Sequence, residues 1–286
     1  METTLPHGLA PAAVLRDHAL IDHEADAAVA RRLEWILRLG ACACFIGHGA
    51  FGIITKSAWL PYFAVAGIGP DLPYRIMPVI GTVDILAGIL ALVAPTPIAL
   101  LYMIVWASWT AMLRPLAGEP IYETIERAGN YGVPLALLLL LGLPRTWAGW
   151  FRPWGRERPA HVHRSIPAIL RWTTVLLLFG HGALAAITGK AMFTTHYAAI
   201  GLPATTVSLV GQVEMAAAAL VLASPNPLLL IAIAIWKLVT EALFPISGSP
   251  IWEYVERGGS YAAPLALALW LLAPRRAGPI SVRTSR

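Results

Sequence analysis

PIYETIERAGNYGVPLALLLLLGLP at residues 120–144 returns at residues 250–274 as PIWEYVERGGSYAAPLALALWLLAP. Each copy sets a cluster of acidic and basic residues in front of a run of leucine and alanine apolar enough for lipid. Glu123 matches Glu253, Glu126 matches Glu256, Arg127 matches Arg257, Tyr131 matches Tyr261 and Pro134 matches Pro264. Read as one helix, each stretch is about 36 Å long at 1.5 Å per residue. That exceeds the roughly 30 Å hydrocarbon core of a bilayer, so the charged turns belong at or near one interface. Charges there cost several kcal/mol unless they face protein or water and find partners. The remainder of the chain must enclose two copies of the cluster.

The composition agrees with a membrane setting. Of the 286 residues 57% are hydrophobic and 13% charged, and the mean hydropathy is +0.66, well to the apolar side of soluble proteins. The net charge of +5 is modest; its distribution carries more information. Cys42 and Cys44 lie one residue apart in an apolar segment, which leaves neither a disulfide framework nor a CxxC motif.

Residues 1–33 are polar and mixed in charge, lack the apolar core of a signal peptide, and read as a cytoplasmic tail with at most a short amphipathic helix. Hydropathy then marks eight spans, near 34–55, 76–94, 97–115, 121–143, 167–188, 205–223, 227–244 and 251–273. The prolines of APTP (94–97) and SPNP (224–227) end one helix and permit the next to start at once.

The two copies extend over the whole chain. His181 follows His48 by 133 positions, and Glu214 follows Asp84 by 130. Between these come Arg38 and Arg171, GHGA at 47–50 and 180–183, Gly81 and Gly211, Pro95 and Pro225, Trp106 and Trp236, and Pro115 and Pro245. Four spans per copy is an even number, so both copies run the same way through the membrane. The expected fold is all-α: a polytopic membrane protein of eight transmembrane helices in two parallel-oriented four-helix repeats, related by a pseudo-two-fold along the membrane normal. The domains are then residues 34–144 and 167–274, joined by a basic linker, 145–166, and followed by a basic tail, 275–286.

Arginine fixes the orientation. The segment 145–171 carries six arginines against one acid, Glu157. Its side also holds Arg31, Arg32 and the C-terminal arginines, so the positive-inside rule places both termini in the cytoplasm of a cell whose inner membrane holds the chain. A basic, tryptophan-bearing segment also raises anionic lipid or nucleic acid, but a topology-setting loop is the plainer reading, and no nucleic acid is expected as a partner.

With that orientation the unusual residues gather in the outer half. His48, Lys56, Asp84 and Arg114 lie on the first three spans, and His181, Lys190, Glu214, Lys237 and Glu241 on the corresponding spans of the second copy. Gly40, Cys44, His48, Gly52 and Lys56 recur every four residues, a stripe suited to close helix packing. On the last spans Glu123, Arg127 and Tyr131, and Glu253, Arg257 and Tyr261, share a face at i, i+4 and i+8, with Glu126 and Glu256 beside them. The histidines permit a bis-histidine haem between copies, though a hydrogen-bonded helix contact is the plainer reading. The glutamate–arginine clusters read equally well as an ion-pair network fixing helix register or as a ligand or proton site. No Walker loop, dinucleotide fingerprint, nucleophile elbow or zinc-protease motif occurs, and no metal site or catalytic residue is assigned.

LRLGACACFIGHGAFGIITKSAW, followed by VIGTVDILAGILALVAP, a tryptophan-bearing span and a final helix led by Glu and Tyr, resembles the DoxX-like family of four-helix membrane proteins. Arg38, the His48–Gly49 pair, Lys56, Gly81, Asp84 and Gly88 carry the resemblance in the first copy. Arg171, His181–Gly182, Lys190, Gly211, Glu214 and Trp252–Glu253–Tyr254 carry it in the second. It covers about 35–143 and 168–273, as two fused units. Members include a small subunit of a thiosulfate:quinone oxidoreductase, which implies a redox-associated subunit, a redox partner protein and a quinone-like or lipid ligand. The duplication and the Glu-x-x-Glu-Arg cluster depart from the family form. Two other classes stand beside this one: a proton-coupled small-molecule transporter, and a scaffold or assembly protein whose charges are structural.

Overall fold

The structure, a computed structural model, describes residues 11–154 and 165–273, with backbone alone for 11–26. All the regular structure among the described residues is helical. They form α1 (Pro11–Ile53), α2 (Leu60–Val65), α3 (Pro73–Val93), α4 (Pro97–Leu116), α5 (Tyr122–Glu126), α6 (Ala128–Leu141), α7 (Ile166–Ala186), α8 (Ala191–Ala198), α9 (Thr205–Ala223), α10 (Pro227–Glu241), α11 (Leu243–Ile246), α12 (Ile251–Glu256) and α13 (Gly258–Leu272). Six helices among them are long and apolar enough to cross a membrane: Ala27–Ile53, Pro73–Val93, Pro97–Leu116, Ile166–Ala186, Thr205–Ala223 and Pro227–Ile246.

The lateral surface decides the solvent. On α3, Val79, Val83, Leu86, Leu90 and Val93 are all exposed, a stripe along one face; α9 exposes Leu209, Val213 and Leu220. A continuous apolar face of this kind is a liability in water and the ordinary condition in a bilayer. The chain is an integral membrane protein.

Local sequence explains the helix ends. Thr96 caps α4 by accepting from the Ala99 N–H at 3.4 Å, and Asn226 caps α10 by accepting from Leu228 N at 2.9 Å. Pro97 and Pro227 follow at the first helical position, where their missing N–H costs nothing. Arg38 donates to the Leu92 carbonyl at 3.2 Å, and Arg171 donates to the carbonyls of Val221 and Leu222. These two arginines satisfy the acceptors left open where α3 and α9 end.

α1 and α7 each pack on several other helices. α1 packs on α3, α6, α12 and α13, and α7 on α9, α5, α6 and α13. Glycine permits the contacts: a Cβ placed on Gly81 would lie 2.4 Å from the Gly49 carbonyl oxygen, and one on Gly129 2.8 Å from the Gly259 carbonyl carbon. The five-residue stripe on α1 does not face one partner. A step of four residues overshoots one turn by about 40°, so Gly40 meets α13 at Gly258 and Ala262 while Gly52 meets α3 at Met77 and Gly81.

Two expectations change. The N-terminal segment from residue 11 holds more than a short helix: one helix of 43 residues runs from Pro11 to Ile53 and carries the first long apolar stretch. The stretches 121–143 and 251–273 are not single helices. Each is broken at its arginine, Arg127 (φ −81°, ψ 12°) and Arg257 (φ −84°, ψ 16°). The linker is described only to Trp154, whose N–H donates to the Pro95 carbonyl at 3.2 Å; Arg156, Arg158 and Arg164 and the tail after Ala273 lie outside the described residues.

Gly81→Val should lower the thermal midpoint of the detergent-solubilised protein by the equivalent of about 1–3 kcal/mol or more, because α1 and α3 must separate. Gly69→Ala, where nothing lies within 4 Å, should leave it unchanged.

Candidate functional site

The first half of the site begins at Asp84, fully buried on α3. Its carboxylate accepts from Tyr102 Oη at 2.6 Å and Trp106 Nε1 at 3.3 Å, and meets His48 Nδ1 at 2.8 Å. Three partners reward an acid that would otherwise be costly to bury. They also orient the imidazole, whose other face stacks on Trp59 with ring centroids 4.6 Å apart. Beside His48 opens a cavity of about 270 Å³, walled mainly by Trp59, Phe63, Ile80, Trp106 and Trp109, with Arg114, Asn130 and Glu256 as its polar margin.

The second half repeats the dyad and fills the space beside it. Glu214 is bonded to His181 Nδ1 and accepts from Trp236 Nε1 at 3.0 Å. Lys237 Nζ lies 3.5 Å from Glu214 and 2.6 Å from Glu241, and His181 Nε2 is 3.7 Å from Glu241. Lys237 and Glu241 are each about 1% exposed. Phe193 packs edge-on against His181 and Phe244 against His196. Outside the spans, burial and then Arg257 pull the His196 imidazole down to about 4, so a neutral ring completes this packing.

The helix breaks supply a layer of arginines between the two dyads. Because Arg127 N–H turns to Ile125, the Glu123 carbonyl loses its helical partner, and the Arg127 side chain takes that place at 3.0 Å. Arg257 does the same for the Glu253 carbonyl at 2.9 Å. Arg127 also reaches the carboxylates of Glu123 and Glu126, both at 3.0 Å. Arg257 reaches Glu253 at 3.1 Å, Glu126 at 3.7 Å and Glu241 at 2.6 Å; the last contact lies off the N–H axis and is Coulombic rather than directional. Lys56 crosses to Glu253 at 2.5 Å, and Lys190 crosses to Glu123. Arg114 touches Glu119 at 3.2 Å, Glu123 at 3.4 Å and the Tyr62 hydroxyl at 3.0 Å. Burial pushes Tyr62, outside the spans, up to about 12, so it remains a neutral donor to Glu119. A second cavity of about 470 Å³ lies over this layer, bounded by Lys56, Tyr62, Glu119, Lys190, Glu253 and Arg257.

Fifteen of the seventeen residues singled out in the sequence therefore meet in one region: His48, Lys56, Asp84, Arg114, Glu123, Glu126, Arg127, His181, Lys190, Glu214, Lys237, Glu241, Glu253, Glu256 and Arg257. Tyr131 and Tyr261 do not join them. The breaks at Arg127 and Arg257 rotate the following helices out of the expected register, leaving Tyr131 against the apolar core and Tyr261 donating to the Tyr254 carbonyl at 3.0 Å. The histidines adopt the helix–helix contact that was their plainer reading. Sequence reasoning missed Trp59, Tyr62, Tyr102 and Glu119. Only the short Ser-Ala-Trp-Leu-Pro-Tyr segment at 57–62, too polar and too short to span, marked a cap over His48. No protein-family model, curated protein or solved structure matches the chain.

Arg257→Leu removes the partner of three acids. It should destabilise the protein by about 3–5 kcal/mol, the usual result of stranding buried charge, read as a fall in thermal midpoint. Tyr131→Phe should change it by less than about 0.5 kcal/mol, since a substitution away from such networks has little effect.

Proposed function

We propose that this chain is a tandem DoxX-like protein, eight spans in two parallel four-helix units, and that it binds one quinone-like or lipid molecule in the cavity beside His48 as a redox-associated subunit. The broken stretches support the eight spans: Tyr122–Leu141 and Ile251–Leu272 are each long enough, helix segments taken together, to cover about 30 Å. The exchange of partners supports the two-fold. α1 packs on α12 and α13 as α7 packs on α5 and α6, and Lys56–Glu253 is answered by Lys190–Glu123. Arginine in the linker and tail supports cytoplasmic termini in an inner membrane.

One observation carries the ligand: an aromatic-walled cavity in which His48 is held by a buried carboxylate. With Nδ1 engaged by Asp84, Nε2 is the nitrogen left to hydrogen-bond a carbonyl or hydroxyl on a ring stacked among tryptophans. The apolar walls suit a tail that reaches lipid, and small-molecule sites combine these two features. A specific observation favours a second reading. Both final spans are broken at an arginine amid paired carboxylates, a feature of transporters that couple substrate to protons.

Purified protein titrated with a decyl-tailed 1,4-benzoquinone should show saturable quenching of its tryptophan fluorescence. Asp84→Asn should weaken that binding about tenfold, by loss of one charge-assisted hydrogen bond, with the fold retained. Proton-coupled uptake into proteoliposomes without quinone binding would replace this reading with the second. Gly118→Cys and Arg156→Cys should label from opposite sides of the membrane; cytoplasmic labelling at 118 would reverse the orientation.

A further inference from the structure

Glu256 stands apart among the buried acids of the charge layer. Asp84, Glu123, Glu126, Glu214, Glu241 and Glu253 each have an ion pair within 4 Å. Glu126, which matches Glu256 in the repeat, has two, to Arg127 and Arg257. Glu256 is 8% exposed, yet no hydrogen bond and no ion pair reaches its carboxyl among the described residues. It instead borders the cavity that contains His48. Its place is set by a close helix approach: a Cβ on Gly47 would lie 2.9 Å from the Glu256 Cβ and 2.3 Å from its backbone nitrogen. α12 is thereby held against α1 one residue before His48. Its carboxyl oxygens are not sealed off by protein, so they are open to a ligand group entering the cavity.

We infer that Glu256, supplied by the second half of the chain, is the second polar contact for the ligand in the first-half cavity, its carboxyl accepting from a ligand hydroxyl while His48 engages the same molecule. This rests on the proposed quinone-like ligand. The charged and titratable groups around Glu256 are His48 and Cys44 on α1, Arg114 on α4, Arg127 at the α5–α6 break, and Arg257 next in its own chain. Among the described residues the second half is arranged differently. Lys237 and Glu241 occupy the space beside His181, where the first half carries Ala107 and Ala111, and Glu126 is committed to arginine.

Binding of the decyl-tailed benzoquinone in its reduced, hydroquinone form, kept under anaerobic conditions, tests the assignment. Glu256→Ala should weaken that binding about tenfold, the loss of one buried hydrogen bond. Glu256→Gln keeps an acceptor oxygen, so it should bind within about threefold of wild type. Glu126→Gln should bind as wild type does. Wild-type affinity in Glu256→Ala, or a loss in Glu256→Gln as large as in Glu256→Ala, overturns the inference. Glu256→Cys gives a reading independent of the quinone. A small neutral thiol reagent should modify it above the background of buried Cys42 and Cys44, and should not modify Glu126→Cys. If wild type fails to bind the quinone but Glu256→Cys labels, the ligand class falls and the cavity position of Glu256 stands. Failure to label overturns that position.

Discussion

The cost of removing charge from water governs this molecule. Arg127 and Arg257 sit between helices with neighbours that are themselves buried, and an uncompensated ion there is worth several kcal/mol. The network answers by giving each guanidinium several acceptors at once, including a backbone carbonyl freed by its own helix break. Break and arginine therefore explain one another. Without the break the Glu123 and Glu253 carbonyls would be occupied, and without the arginine they would be left open. Such a pair of devices fixes geometry more than it adds stability, because the same volume filled by apolar side chains would avoid the desolvation altogether.

Close backbone approach is the second condition. Ion pairs between distant segments, Lys56–Glu253 at 2.5 Å and Arg257–Glu241 at 2.6 Å, require axes nearer than leucine would allow. Gly47 against Glu256, Gly49 against Gly81 and Gly129 against Gly259 supply that nearness. In lipid, where apolar side chains gain little by leaving one apolar medium for another, such packing and the polar contacts it permits are what hold helices together. The exposed valines and leucines of α3 and α9 are then free to face acyl chains.

Much of this was legible in the sequence. Length and hydropathy marked the long helices, and the prolines of APTP and SPNP marked two of the joints between them. Charge in an apolar context singled out the acids and bases that meet. The breaks at 127 and 257 were not legible. Pro134 and Pro264, the usual breakers, lie inside continuous helix, while the break falls at an arginine with good helix propensity, held by its own bond to the carbonyl four residues back and by contacts from distant segments. Tyr131 and Tyr261 were misplaced for that reason, since their position at i+8 assumed an unbroken register. Trp59 and Tyr62 were missed because neither periodicity nor charge distinguishes a short capping segment from a loop.

The His48–Asp84 and His181–Glu214 pairs have different surroundings, and the difference traces to few side chains. Asp84 draws on Tyr102, whereas Glu214, one methylene longer, draws on Lys237. Once Lys237 is buried it requires a second acid, and Glu241 one turn later provides it. Glu241 in turn holds Arg257, and Arg257 draws Glu126 into the same network. Each addition satisfies the charge before it and takes up space, so the second half closes as its network grows. The first half carries alanines at the positions of Lys237 and Glu241 and needs no such chain. Its open cavity follows from those alanines, and the unpaired Glu256 from the commitment of Arg257 to Glu241, Glu126 and Glu253.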